Sequence, residues 1–125
     1  MKKILLSVLT IVLFSCQQKE IISNPNKVFY DTNWVSEINE DIGYFILQFY
    51  DNDKVLFRSA YLGSDIGEFA FYETQRTLFF NNLCTYVGGR YYFINYADIN
   101  EGYREILLWI TFPDGRDYYV ILYKN

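Results

Sequence analysis

The stretch Glu105-Ile106-Leu107-Leu108-Trp109-Ile110-Thr111-Phe112 predicts the class of fold. Every second residue from Ile106 to Phe112 is apolar, and the stretch is rich in aromatic and β-branched side chains. This period of two is typical of a β-strand with one face toward a core. Because Leu107 and Trp109 make the other face apolar too, we expect this strand to lie centrally or to face a partner rather than form an open edge.

The same alternation recurs along the chain from residue 28 onward. Turn signals separate the runs, at Asp51-Asn52-Asp53, Gly88-Gly89 and Pro113-Asp114-Gly115. The pattern predicts strands near residues 28–37, 43–50, 54–62, 67–73, 76–81, 90–97, 103–112 and 117–124. About eight short antiparallel strands predict an all-β fold, either a small meander barrel or a closed sandwich. We expect the following residues to be mostly buried: Trp34, Phe45, Leu47, Phe57, Phe71, Phe93, Ile106, Leu108, Ile110, Val120 and Leu122.

The N-terminus has the pattern of an export signal. Met1-Lys2-Lys3 forms a short basic region, and Ile4 to Phe14 are apolar apart from Ser7 and Thr10. A helix of this length spans roughly 16 Å, which is too short for a hydrocarbon core of about 30 Å. We therefore predict that residues 1–15 form the helix of a secretory signal peptide rather than a membrane-spanning segment.

The signal ends in Leu13-Phe14-Ser15-Cys16, which resembles the lipobox of bacterial lipoproteins. The resemblance implies that Cys16 is acylated on its sulfur, as by palmitate, and becomes the first mature residue. It places the protein in the cell envelope, anchored to a membrane by lipid. By the same analogy, the lack of aspartate after Cys16 favours the outer membrane. Gln18-Lys19-Glu20 loosely resembles a surface-display signal, so the periplasmic and surface faces both remain open.

The rest of the chain divides into a tether and a domain. We predict a lipidated cysteine and polar tether at residues 16–27 and one β-domain at residues 28–125. Asn33-Trp34, followed by strands near 44–50 and 54–59 around a tight turn, resembles the start of small lipocalin-like lipoprotein domains. The cysteine and arginine signatures of full lipocalins are missing, so this resemblance supports the barrel rather than a particular ligand.

Composition excludes several classes of function. The chain has no histidine, the commonest general base near neutral pH and the commonest transition-metal ligand, so we expect neither a catalytic triad nor a metal site nor any cofactor. Without Lys2 and Lys3 the chain carries 9 basic and 15 acidic residues, a net charge of about −6 that makes nucleic acid a poor partner. With Cys16 lipidated, Cys84 has no disulfide partner, and we expect it to be a buried small apolar residue.

The abundant aromatic residues are the strongest hint of a binding site. The sequence contains 13 tyrosines and 11 phenylalanines, and tyrosine offers both stacking area and a hydroxyl group to sugars, peptides or proteins. Core packing and compositional drift are the plain alternative explanation of this excess. Our candidate ligand- or partner-binding residues are Tyr44, Tyr50, Tyr92 and Tyr96.

Together these features predict a non-enzymatic binding or interaction lipoprotein with no catalytic residues. Its partners would be the membrane through Cys16 and a small apolar ligand, a glycan or an envelope protein. A large cavity would favour the apolar ligand, and a filled barrel would favour the glycan or the protein. Two alternatives stay open. One is a glycan-processing enzyme that uses loop carboxylates such as Glu37 and Asp41, and the other is an inhibitor or immunity-type lipoprotein.

Overall fold

A computed structural model describes residues 24–38 and 43–125. The predicted signal peptide (residues 1–15) and the predicted lipidation site Cys16 lie outside these residues. The regular elements of the described chain are β-strands, preceded by a short 3-10 helix at Pro25–Phe29 that we call the plug helix. The strands are β1 (Asn33–Ser36), β2 (Phe45–Phe49), β3 (Lys54–Ser59), β4 (Gly63–Tyr72), β5 (Thr77–Asn81), β6 (Cys84–Val87), β7 (Arg90–Ile99), β8 (Glu105–Thr111) and β9 (Asp117–Lys124).

The strands close into an antiparallel barrel. β1 pairs with β2 on one side and with β9 on the other, so the first and last strands are neighbours. β5 pairs with both β4 and β7, which completes the ring. β5 and β6 pair with successive parts of β7 and act as one bent strand, so the nine segments make an eight-stranded barrel. The predicted all-β fold is confirmed, and the barrel is consistent with the lipocalin-like architecture.

Three details of the predicted strands are wrong. Residues 25–29 form the plug helix, where the sequence predicted the end of a tether and the start of a strand. The side chain of Asn24 accepts a hydrogen bond from the Asn26 N–H, and Pro25 has no N–H to leave unpaired, so both favour a helical turn. β4 begins at residue 63 rather than near 67. β6 was missed because four residues are too few to show alternation.

The turn at Gly88-Gly89 joins β6 to β7 as the sequence predicted. Both glycines have positive φ, 60° and 76°, the conformation that a two-residue hairpin loop of this type requires and that glycine adopts without steric cost. This turn therefore sets the register between Val87 and Arg90, the last pair of the β6–β7 ladder.

The inward faces of the strands fill the barrel. The buried hydrophobic residues come from every strand except β6, and the largest of them are fully buried: Trp34, Phe45, Leu47, Phe49, Phe57, Leu78, Ile94, Ile106, Leu108, Ile110 and Leu122. An eight-stranded barrel has an interior just wide enough for side chains to fill. Because these side chains are only 0–1% exposed, no water-sized space borders them along the barrel axis.

Two residues predicted to be buried lie elsewhere. Phe93 is 45% exposed on the outer face, because Ile94 is the residue that points inward. The register of β7 shifts between Ile94 and Tyr96, so the simple alternation read from the sequence fails across that bulge. Val120 is only partly buried and packs against the edge of the core.

The plug helix covers one end of the barrel. Its Phe29 ring is 1% exposed and lies 5.2 Å from the ring of Phe49 and 4.8 Å from that of Phe71. Asn26 is 8% exposed, donates to the Phe69 carbonyl at 3.1 Å and accepts from the Phe71 N–H at 2.8 Å. One side chain thus satisfies two backbone groups of β4, which fixes the helix to the barrel.

Candidate functional site

The filled interior directs attention to the outer face. Five aromatic side chains point outward from five neighbouring strands of the barrel. We call this set the aromatic row: Tyr72 (β4), Phe79 (β5), Tyr96 (β7), Trp109 (β8) and Tyr119 (β9). The register pairs Phe79 with Tyr96, Tyr96 with Trp109, and Trp109 with Tyr119. Neighbouring strands lie about 4.8 Å apart, so the row extends over roughly 19 Å of a curved surface.

The rings of the aromatic row contact one another in two groups, Tyr72 with Phe79, and Trp109 with both Tyr96 and Tyr119. Ring centroids are 5.0 Å apart for Tyr72 and Phe79, 6.0 Å for Tyr96 and Trp109, and 5.5 Å for Trp109 and Tyr119. Tyr119 is 60% exposed, and Tyr72 and Phe79 are also exposed. Exposed, mutually supported aromatic rings are typical of interaction surfaces, because they offer large contact area at little cost in side-chain entropy.

Acidic and hydroxyl groups flank the aromatic row. Asp98 lies two residues after Tyr96 on the same face and accepts a hydrogen bond from the Thr77 hydroxyl at 3.1 Å. Asp117 lies two residues before Tyr119 and accepts from the Thr111 hydroxyl at 2.7 Å. These carboxylates favour neutral or basic partners over anionic ones.

A groove begins where the aromatic row ends. It has a volume of about 300 Å³, and its lining includes Ser36, Glu37, Gly43, Phe45, Tyr119 and Ile121. We call it the β9 groove. It lies beside the first half of β9, at the level where β1 has already ended: the last pair of the β1–β9 ladder is Ser36 with Leu122. Residues 39–42, which connect Ile38 to Gly43, lie outside the described residues.

Ser36 ends the regular ladder of β1. Its hydroxyl accepts the Phe45 N–H at 2.8 Å and donates to the Glu37 carbonyl at 3.0 Å. Ser36 lies opposite Phe45 in the register of β1 and β2, so the Phe45 N–H is satisfied by the side chain of Ser36 instead of its backbone carbonyl.

The backbone of β9 alternates between its two neighbouring strands. The Phe112 N–H donates to the backbone carbonyl of Arg116, and the Lys124 N–H donates to that of Arg104. Even-numbered residues of β9 therefore pair with β8. The Asn125 N–H donates to the Asn33 carbonyl, which shows that odd-numbered residues face β1. Ile121 is odd-numbered and lies opposite Glu37 when the register of β1 and β9 is continued past Ser36.

The four tyrosines predicted as binding residues do not form one site. Tyr96 lies in the aromatic row, stacked on Trp109. Tyr44 is 38% exposed just before β2, and Tyr50 lines a separate surface depression near the turn at Asp51. Tyr92 packs its ring against Phe112, 5.1 Å away, and is partly buried.

The four candidate tyrosines leave out the other four members of the aromatic row: Tyr72, Phe79, Trp109 and Tyr119. Alternation within each strand was the available signal, since all four occupy the outward positions of their strands. Their grouping depends on the registers of β4 with β5, β5 with β7, and β8 with β7 and β9, which no local pattern encodes.

The candidate catalytic carboxylates are only partly described. Glu37 lies exposed on the rim of the β9 groove, whereas Asp41 lies outside the described residues. Within residues 24–38 and 43–125, no group of three or more histidine, cysteine, aspartate or glutamate side chains is placed to hold a metal ion.

Cys84 is half-buried in β6 and is a free thiol. Burial raises the pKa of its thiol, and the nearby charge of Asp65 raises it further. Its backbone N–H donates to the Asp65 carboxylate at 2.9 Å and so joins β6 to β4. A raised pKa disfavours the reactive thiolate, which fits the predicted structural role of this residue better than a catalytic one.

In the part of the chain that the structure describes, no helix is both long enough and apolar enough to cross a membrane. No protein-family model, curated protein or solved structure matches this chain.

Proposed function

We propose that this protein is a lipid-anchored lipoprotein of the cell envelope, at the outer membrane, that acts as a non-enzymatic binding module. Its anchor would be acylated Cys16, only eight positions before the first described residue, Asn24. Eight residues reach at most about 28 Å when extended, so the barrel would stay close to the membrane surface. The binding surface would be the outer face of the barrel.

The filled interior is the observation that carries this proposal. A carrier of small apolar ligands needs a cavity of several hundred cubic ångströms. In this barrel that space is occupied by aromatic and aliphatic side chains that are 0–1% exposed. We therefore favour binding at the outer surface over a role as a carrier of small apolar ligands. The aromatic row supports binding at the outer surface, to a protein or glycan of the envelope.

The anchor is tested by membrane fractionation of the full chain and of Cys16→Ala. We expect the wild-type chain to partition with membranes and detergent and the variant to be released after signal cleavage. A processed Cys16→Ala chain that stays with the membranes would contradict the anchor.

The binding surface is tested by cross-linked capture from envelope extract, with analysis of both proteins and glycans. The double variant Phe79→Thr/Tyr96→Thr removes two rings of the aromatic row and keeps β-branched residues in the strands. Ile66→Thr is the matched control, because Ile66 is 57% exposed on β4 and lies outside the row. We expect the double variant, but not the control, to lose the partner. Equal capture by all three chains would contradict a role for the aromatic row.

A further inference from the structure

We propose that the outer face of the barrel binds an arginine side chain of a partner protein, in a depression beside the aromatic row. This inference rests on the proposed binding function and specifies the partner as a protein that presents an exposed arginine. The depression has a volume of about 290 Å³, and we call it the β8 depression. The described residues that line it are Asp98, Ile99, Asn100, Glu105, Leu107 and Ile121.

The floor of the β8 depression is apolar. Leu107 on β8 pairs with Ile121 on one side and with Asp98 on the other, so the two aliphatic side chains lie together on the outer face. Leu107 is half-buried, and Ile121 is 38% exposed. Arginine and lysine cover such apolar surface with their methylene stems while the charged head stays in water. The floor therefore suits the stem of a long basic side chain.

Two carboxylates decide the charge of the occupant. Asp98 lies directly across from Leu107, and Glu105 lies two residues before Leu107 on the same face. Such a diagonal pair on neighbouring strands is about 7–8 Å apart, so one cation between the two carboxylates can contact both. Both side chains are exposed, and no basic residue is among the described residues that line the depression. Charge complementarity therefore favours a cation and disfavours phosphate or another carboxylate.

Hydrogen bonds hold these two acidic residues in place. The Thr77 hydroxyl donates to the Asp98 carboxylate at 3.1 Å. The side-chain oxygen of Asn100 accepts the N–H groups of Arg104 and Glu105, at 3.0 Å and 3.1 Å, and so fixes the backbone from which Glu105 extends. Groups that are fixed before a ligand arrives lose less entropy when it binds.

The neighbouring aromatic rings favour arginine over lysine. Tyr96 lies two residues before Asp98, and Trp109 lies two residues after Leu107, so their rings border the depression on the side of the aromatic row. The two rings stack, with centroids 6.0 Å apart and an interplanar angle of 22°. A guanidinium group is planar, stacks on aromatic faces and presents a fork of donors that matches a carboxylate, whereas an ammonium group offers a point charge alone.

The test uses the full chain in micelles of an uncharged detergent, with NMR labels on isoleucine, leucine and tryptophan side chains. The probe is the capped pentapeptide Gly-Thr-Arg-Thr-Gly, with two further versions in which lysine or the neutral isostere citrulline replaces the arginine. We expect the arginine peptide to shift the Leu107, Ile121 and Trp109 signals saturably, with a Kd of about 1–10 mM. The lysine peptide should bind about two- to fivefold more weakly, and the citrulline peptide about fivefold or more weakly.

Three results of the titration would overturn the inference. They are the absence of saturable shifts at Leu107, Ile121 and Trp109, equal binding of the arginine and citrulline peptides, and equal binding of the arginine and lysine peptides. The first removes the site, the second removes the role of charge, and the third removes the preference for arginine.

A pair of charge variants tests the two carboxylates. Asp98→Asn/Glu105→Gln replaces them by neutral amides of similar shape, and the amide oxygen at position 98 can still accept from Thr77. The matched control is Asp31→Asn/Asp51→Asn, which removes the same charge from two exposed positions in the loops before β1 and after β2. We expect the first variant to weaken binding of the arginine peptide about fivefold or more, and the control less than about twofold. Equal weakening would overturn the inference, because general attraction to an acidic protein would then explain binding.

The outcomes also separate this inference from the proposed function. A protein captured through the aromatic row, with no arginine binding in the β8 depression, would leave the proposed function intact and remove the depression from it. Capture of a glycan alone would overturn this inference, which requires a protein partner. Arginine-specific binding with no captured envelope partner would retain the β8 depression and contradict the proposed function.

Discussion

The two ends of this barrel differ in how they satisfy the backbone. At the end covered by the plug helix, the Asn26 side chain pairs with Phe69 and Phe71, and the Asp53 carboxylate accepts from both Asn26 and the Tyr30 hydroxyl. At the groove end, the regular pairing of β1 stops at Ser36, whose side chain accepts the Phe45 N–H. The plug end therefore satisfies its polar groups through Asn26 and Asp53, whereas the groove end uses the hydroxyl of Ser36.

The largest effect should come from removing the centre of the plug. In Phe29→Ala, the cavity among Trp34, Phe49 and Phe71 should lower the free energy of unfolding by about 3–5 kcal/mol. Chemical denaturation measures this value. Ile38→Ala, which truncates an 80% exposed side chain beside the groove, is the control and should change stability by less than about 0.5 kcal/mol. Similar losses of stability in Phe29→Ala and Ile38→Ala would show that the two ends of the barrel do not differ in their contribution to stability.

Removing the two hydrogen bonds between Asn26 and β4 should have the next largest effect on stability. Asn26→Leu keeps a side chain of similar size but leaves the Phe69 carbonyl and the Phe71 N–H without their partner. We expect a loss of about 2–4 kcal/mol, measured by denaturation. Asn95→Leu, at an exposed position of β7, should be nearly neutral. An Asn26→Leu protein as stable as the wild type would show that these hydrogen bonds do not hold the plug helix to the barrel.

At the groove end, Ser36→Ala removes the hydroxyl that accepts the buried Phe45 N–H. One unpaired buried donor should lower the free energy of unfolding by about 1–2 kcal/mol. This is less than the loss expected when both hydrogen bonds between Asn26 and β4 are removed. Thermal unfolding and the exchange rate of the Phe45 amide would measure it. An unchanged exchange rate would mean that the backbone carbonyl of residue 36 accepts the Phe45 N–H in place of the hydroxyl.

The smallest effect that we expect is a dependence of stability on pH, caused by Asp53 at the plug end. Hydrogen bonds from Tyr30 (2.6 Å) and Asn26 (3.0 Å) hold the pKa of Asp53 below its ordinary value of 3.8, and the bond to Asp53 raises the pKa of Tyr30. A carboxyl group with a lowered pKa stabilises the fold above its unfolded pKa, and this contribution is lost as the pH falls through the folded pKa.

We therefore expect the Tm of the wild-type protein to fall more steeply than that of Asp53→Asn between about pH 5 and about pH 2. Asparagine tolerates the positive φ of 63° at this position, so the backbone should not change. Glu68 and Asp114, whose pKa values are also lowered by hydrogen-bonded cations, titrate equally in both proteins. Parallel Tm curves would show that the Asp53 contacts do not contribute.

Much of the fold was predictable because its signals are local. Leu47, Ile106 and Leu108 are buried as their alternation indicated, since side chains in a strand point to opposite faces in turn. The prediction failed at Phe93, where a bulge breaks the alternation, and at residues 25–29, where a cap and a proline produce a helical turn. The predicted tyrosine site was recovered only at Tyr96, because grouping by composition carries no information about register.

The sequence by itself determined the all-β class, the turn at Gly88-Gly89 and most of the inward-facing residues, because turn conformation and side-chain alternation depend on neighbours a few positions away. The tertiary structure decided that the sheet closes into a filled barrel, that Trp109 and Tyr119 join Tyr96 in one row, and that the regular pairing of β1 with β9 stops at Ser36. Those features depend on hydrogen bonding between residues far apart in the chain, and a shift of register by one residue would turn every side chain of a strand to the other face.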